Sequence, residues 1–271
     1  HVEEILTALQ TAGVTLKLSK CDLFKDTVKY LGHVIRPGRL ETDEAVTAAL
    51  RLAKPPRDQK ELRSFLGLCN VYRRFVPRYS HIAAPLNRLL KKEQSFKLTE
   101  FNDEQMRAFR SLIEKVTNPP VLSLPKAGLR YSVDTDSSDY QVGCALFQTH
   151  PDGQRKPLGY WSRSLIDAET RYSVSEKECL AVVWALTTLR PYLQMEHFEV
   201  NTDHSALRWL MSIDDPSGRL MRWRLRLSEF DFDVKYKKGR LNCQADALSR
   251  LLTLGETKVQ EDFEIPCFAT E

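Results

Sequence analysis

Long apolar runs are missing from this sequence. The longest unbroken stretch of aliphatic and aromatic side chains, Leu180 to Leu186, is seven residues, far short of the ~20 that cross a bilayer as a helix. No secretory leader pattern opens the chain. The six cysteines, at 21, 69, 144, 179, 243 and 267, form no C-x-x-C pair, so zinc ribbons and thioredoxin-like chemistry lack support. Six thiols in 271 residues is not disulfide density, and reduced thiols in an intracellular compartment are expected. Glycine and proline are too scarce for a fibrous chain, and 42% apolar residues are too many for a disordered one. An initiator methionine is also missing, so His1 suggests a processed chain or a fragment. What remains is the composition of a globular protein of one large or two ordinary domains.

Charge is unevenly spread. Residues 1–120 hold 21 basic and 14 acidic residues, residues 121–250 hold 18 and 17, and the last 21 residues hold one Lys and five acids. A basic first half suits a polyanion partner, although a solvated surface explains +7 as well. Carboxylates that face a polyanion need neutralising, and a divalent cation does that.

Periodicity predicts mostly short helices and one hairpin over 1–117. A helix over Val2–Ala12 ends at Gly13, and Val14–Leu18 and Phe24 read as short strands. The stretch 27–35 reads as a strand leading into Arg36-Pro37-Gly38-Arg39, a type II turn. Helices follow from Thr42-Asp43-Glu44 to Leu52, over 58–70 from a cap at Asp58, in a stretch flanked by Ser80 and Pro85 that ends in Leu90-Lys91-Lys92, and from Asn102 to Val116. After Pro119-Pro120 the period becomes that of strands: Leu129–Val133, Val142–Gln148 and Pro157–Ser162. A long helix, Ser175 to Leu189, precedes a strand at Phe198–Thr202, helices at Ser205–Met211 and Arg219–Phe230, a strand at Phe232–Tyr236 and a helix at Gln244–Leu252. Hairpin-joined strands followed by alternating helices and strands imply a mixed sheet with flanking helices.

Four carboxylates sit where an apolar element meets a polar edge: Asp136, Glu178, Asp203 and Asp246. Glu178 shares a helical stripe with Ala181 and Val182 and can point under a sheet edge, whereas Glu176 lies on another side. Converging carboxylates repel one another unless cations intervene, and hard oxygens select Mg²⁺ or Mn²⁺. Two such ions about 4 Å apart support in-line phosphodiester hydrolysis. Read from spacing alone, the same residues are also ordinary surface acids at strand ends and helix starts. Cys144 and Cys179 read as small buried hydrophobes, Trp184, Trp209 and Trp223 as core, and His204 as a helix-start residue.

The sequence resembles the reverse transcriptase–ribonuclease H part of gypsy-type LTR-retrotransposon Pol polyproteins. Nine collinear blocks carry the resemblance: YLGHVI (30–35), LRSFLGLCNVYRRFVPRYS (62–80), APLNRLL (84–90), DTDSSDYQVGCALFQ (134–148), YWSRSL (160–165), YSVSEKECLAVVWAL (172–186), FEVNTDH (198–204), LMRWRLRLSEFDFDVKYKKG (220–239) and ADALSR (245–250). The implied fold class is α+β followed by α/β: a mostly helical thumb and connection with one hairpin, then a ribonuclease H-like mixed sheet with flanking helices. The implied division is the end of a reverse transcriptase palm over 1–50, thumb and connection over 51–120, a ribonuclease H-like domain over 121–252 and an acidic tail over 253–271.

In this family the metal-binding acids fall on Asp136, Glu178, Asp203 and Asp246, with Asp134 and Asp139 as weaker candidates. The resemblance implies two Mg²⁺ ions, with Mn²⁺ as a substitute, and cleavage of the RNA strand of RNA–DNA hybrids. Its implied partners are the hybrid, a primer–template duplex and the upstream palm and fingers, with no membrane. Its implied setting is the cytoplasm or a virus-like particle, or the nucleus. Tyr72, Arg73 and Arg74 are expected to meet nucleic acid, Ser138 and Asn201 to meet 2′-hydroxyls or phosphates, and Lys237, Lys238 and Arg240, with Lys235, to hold the DNA strand. Lysines along 235–240 equally suit a protected edge strand. Two features depart from the family. The polymerase Tyr-x-Asp-Asp motif is absent from these 271 residues, so polymerase catalysis is not expected of this chain alone. The loop before Asp246 also lacks a histidine, and Gln141 stands where glycine is common. A non-catalytic nucleic-acid-binding remnant is the competing reading. An integrase-like enzyme fits less well, given a fourth acid and the thumb blocks.

Overall fold

The computed structural model describes residues 1–90 apart from Leu18 and Lys20, residues 101–202, residues 207, 210, 212 and 213, and residues 218–236, of Tyr236 the backbone only. Asp203, Asp246, Lys237, Lys238, Arg240, His204 and Trp209 lie outside them.

The first 30 residues bury little. Helix α1 (Val2–Thr11) has no buried residue. Val14 and Leu16 are exposed and pair with no strand, and Phe24 is exposed at a left-handed φ of 57°. Among the described residues the short strands expected there are not found, and no described strand pairs with them. A meander follows: β1 (Val28–Tyr30), β2 (His33–Arg36) and β3 (Arg39–Thr42), all antiparallel. Gly38, at φ +74°, supplies the positive φ that the third position of the Pro37-Gly38 type II turn requires. The sequence suggested one hairpin. The structure instead forms a four-stranded sheet, because buried Leu122 in β4 (Leu122–Ser123) pairs with Leu40.

Four helices build the first core: α2 (Glu44–Arg51), α3 (Gln59–Val71), α4 (Tyr79–Arg88) and α5 (Asp103–Thr117). Side chains of Asp43, Asp58 and Asn102 each accept a hydrogen bond from a first-turn backbone N–H, satisfying donors that a helix cannot pair internally. Leu62, Leu86, Leu112 and Phe75 are buried where the helices meet. Helix α4 starts at Tyr79, contains Pro85 and ends at Arg88, and Lys91 and Lys92 of the expected helix end lie outside the described residues.

The second core lies on a five-stranded sheet ordered β7-β6-β5-β8-β9. Its strands are β5 (Tyr131–Ser137), β6 (Gln141–Thr149), β7 (Arg155–Ser164), β8 (His197–Thr202) and β9 (Asp231–Tyr236). The first three form antiparallel hairpins, while β8 runs parallel to both β5 and β9. Helices α6 (Asp167–Thr170), α7 (Val174–Thr188) and α8 (Arg190–Leu193) link β7 to β8, and α9 (Gly218–Leu227) precedes β9. The mixed sheet with flanking helices agrees with the fold class read from sequence.

Helix α7 is buried over nearly its whole circumference, from Lys177 through Val183 and again at Ala185 and Leu186. A helix apolar on all sides belongs in an interior. Its start is fixed by a capping box: Ser173 Oγ accepts from the Glu176 N–H, and Glu176 accepts from the Ser173 N–H at 2.9 Å. Among the described residues no helix is long and apolar enough to cross a membrane.

Candidate functional site

Side chains alternate along a strand, and this decides the site. Ser137, the last residue of β5, donates its hydroxyl to Glu178 Oε1 at 2.8 Å, so it faces α7. Val133 and Leu146, paired across β5 and β6, lie in the apolar core on that face. Asp136 therefore points to the opposite face. There Arg78, the residue before α4, donates through Nη2 to Asp136 Oδ2. The two acids approach the end of β5 from its two sides.

Asp136 aligns with Gly143 on β6, and Gly143 aligns with Ser162 on β7. Ser162 is tied to the helical region three times. Its Oγ accepts from the Ser80 N–H at 3.0 Å and lies 3.1 Å from Ser80 Oγ, and its carbonyl accepts from Arg73 at 2.6 Å. The segment 73–80 thus lies along the edge strand β7 and brings Arg78 to Asp136.

Neighbouring acids have other partners. Asp134 takes a forked pair from Arg155, at 2.7 and 3.2 Å, and a bond from Asn201 Nδ2 at 2.8 Å. Asp139 in the β5–β6 turn pairs with buried Lys177 at 2.7 Å, which fixes that turn over the first turn of α7. Glu176 serves the capping box and binds Arg219, which lies over the Tyr172 ring at 4.1 Å. Burial raises the Glu176 pKa, but hydrogen bonds from Ser173 and the Arg219 charge outweigh it and hold the group below its usual range. Cys144 and Cys179 are buried cysteines. Burial, then the charges of Glu178 and Glu176, pushes Cys179 up to about 12, so it stays a thiol.

Of the four principal acids chosen from sequence, Asp136 and Glu178 lie within the described residues and Asp203 and Asp246 outside them. Among the described residues no group of three or more His, Cys, Asp and Glu side chains could hold a metal ion. The donor chemistry of Asp136 and Glu178 nevertheless fits Mg²⁺ or Mn²⁺, since both offer hard carboxylate oxygens. A cation on Asp136 would meet the guanidinium already there.

The expected nucleic-acid contacts divide. Tyr72 is 1% exposed, and its hydroxyl donates to the Gly32 carbonyl at 2.8 Å, within the helical core. Asn201 is also buried, with its amide on Asp134. Arg73 is half-buried on Ser162, and Arg74 is exposed and stacked on Trp161 at 5.3 Å. Ser138 is half-buried, and its hydroxyl accepts from the Gln141 N–H at 3.2 Å. Lys235 pairs with Glu199 at 2.5 Å on the edge strand β9. Sequence reasoning missed Ser137 and Arg78. The only available signal for Arg78 was a lone cation between Pro77 and a helix start.

Residues 127–230 match the RNase H-like domain found in reverse transcriptase. The retrovirus-related Pol polyprotein from transposon 297 of Drosophila melanogaster is 37% identical over 250 residues, covering 92% of this chain and 23% of that protein. The transposon Tf2-3 polyprotein of Schizosaccharomyces pombe is 37% identical over 257 residues, covering 93% of this chain and 19% of that protein. The chain is a relative of transposon Pol polyproteins. It spans 23% or less of the length of these two Pol polyproteins, and the gypsy-type resemblance of its nine blocks agrees with them. The foamy viral protease-reverse transcriptase solved with an RNA/DNA hybrid superposes with a TM-score of 0.72 at 22% identity, over 98% of this chain and 35% of that one. A related foamy viral structure with double-stranded DNA gives 0.70 at 23% identity, over 88% and 42%. Both share the fold of this Pol relative.

Proposed function

We propose that this chain hydrolyses the RNA strand of RNA–DNA hybrids, with Asp136, Glu178, Asp203 and Asp246 holding two Mg²⁺ ions, and that residues 1–120 belong to a reverse transcriptase palm and thumb. The observation that carries the reading is the Ser137–Glu178 hydrogen bond, which sets a helix carboxylate at the end of the strand that bears Asp136, within an RNase H-like domain. Bound ions would supply a lowered water pKa and a stabilised 3′-oxygen. The chain's own contribution is position: β5 and α7 are held rigidly by the core, and Ser137 orients the Glu178 carboxylate. The exposure of Arg74 over Trp161 supports its role in meeting a phosphate. Hybrid cleavage in Mg²⁺, comparing wild type with Asp203→Asn and Asp136→Asn, tests the reading. Cleavage should fall by about a hundredfold or more in either variant. Equal cleavage by all three, or by none, refutes it.

A second reading, a non-catalytic grip on duplexes, is favoured by the Arg78 guanidinium on Asp136. It predicts tight, metal-independent, strongly salt-dependent hybrid binding without turnover, which a filter-binding titration against salt would reveal.

A further inference from the structure

Arg78 is an unusual residue for its position. Its φ of 54° is left-handed, a conformation that costs a non-glycine residue about 1 kcal/mol or more. Its side chain is 22% exposed and that of Asp136 29%, so most of the pair is shielded from water. Its carbonyl accepts from the His81 and Ile82 N–H groups at 2.9 and 3.3 Å, starting α4, while Arg73 and Ser80 clip the flanking segment to Ser162. A guanidinium from the helical region is thus delivered to the sheet across 58 residues of sequence.

We infer that Arg78 is an internal counter-cation that masks Asp136, so that a divalent ion binds there only when the start of α4 withdraws. The inference rests on Asp136 being a metal ligand, as proposed above. A carboxylate that keeps a guanidinium on Oδ2 holds a second cation poorly, since the two cations repel. The chain therefore has a masked state and a loaded state, and a ligand shifts the balance only through its differential affinity for the two. Any partner that pulls residues 73–80 off β7 favours loading, which couples the helical region to the sheet.

The test is Mn²⁺ titration calorimetry on the whole 271-residue chain, supported by amide hydrogen exchange. Arg78→Ala should bind Mn²⁺ about tenfold tighter than wild type, the worth of one shielded charge-assisted bond. Arg78→Gly keeps the left-handed backbone without strain and should show the same gain, which settles the matter if the alanine variant folds poorly. In wild type, Mn²⁺ should speed exchange at His81 and Ile82. If wild type, Arg78→Ala and Arg78→Gly bind Mn²⁺ equally while Asp136→Asn abolishes binding, the mask is wrong and the nuclease reading stands. Mn²⁺ binding indifferent to Asp136→Asn removes the metal reading, and the mask with it.

Discussion

Toward α7 the five-stranded sheet presents Val133, Val142, Leu146, Phe198 and Val200, each fully or almost fully buried in one apolar cluster. Its other face presents Ser132, Asp134, Asp136, Ser162, Glu199 and Asn201, joined through Arg155, Arg78, Ser80 and Lys235. The first face is held by area removed from water, which is non-directional and does not exchange partners. The second is held by directional polar contacts whose net worth is small and whose partners can change. Stability is concentrated on one side of the sheet, and exchangeable chemistry on the other.

The largest effect should come from the apolar face. Leu146→Ala should cost about 2–5 kcal/mol in urea unfolding, as lost transfer energy plus a cavity. A loss below about 1 kcal/mol would erase the contrast between the faces. On the polar face, Ser162→Ala removes the acceptor of the Ser80 N–H and should cost about 1 kcal/mol, while loosening residues 73–80 as read by hydrogen exchange. The smallest effect concerns His197, exposed at the start of β8 beside Asp231 and Asp233. The Asp231 hydrogen bond and charge, with help from Asp233, raise its pKa above the ordinary 6.5. A raised folded-state pKa stabilises fully below the unfolded value and is lost as pH rises through the folded one. The melting temperature of wild type should therefore exceed that of His197→Gln slightly below pH 6, and the gap should close at alkaline pH.

Elements with strong local signals were legible in the sequence. The long helix expected from Ser175 to Leu189, the Pro37-Gly38 turn and the three hairpin strands follow from local chemistry, and the structure moves their ends by only a few residues. Strand β4 was not legible: two residues carry no period, and only the pairing partner on β3 defines them. The burial of Tyr72 was not legible, because the run Tyr72-Arg73-Arg74 does not reveal which side chain turns inward where a helix tightens into the 3₁₀ turn at Arg73–Phe75. Arg78 was invisible for a different reason. Its partner is distant in the chain, and only the packing of α4 on β7 brings them together. Ser137 could have been found, since a polar residue between Asp136 and a core-facing strand must meet something polar when covered.

The contact of residues 73–80 with β7 has a further consequence. β7 ends the sheet, and an uncovered rim strand offers its peptide groups to any other chain. A truncated form beginning at Leu129 would keep its whole apolar interior yet uncover that rim. Self-association by strand addition, growing with protein concentration, is what such a shortened form should show on sizing.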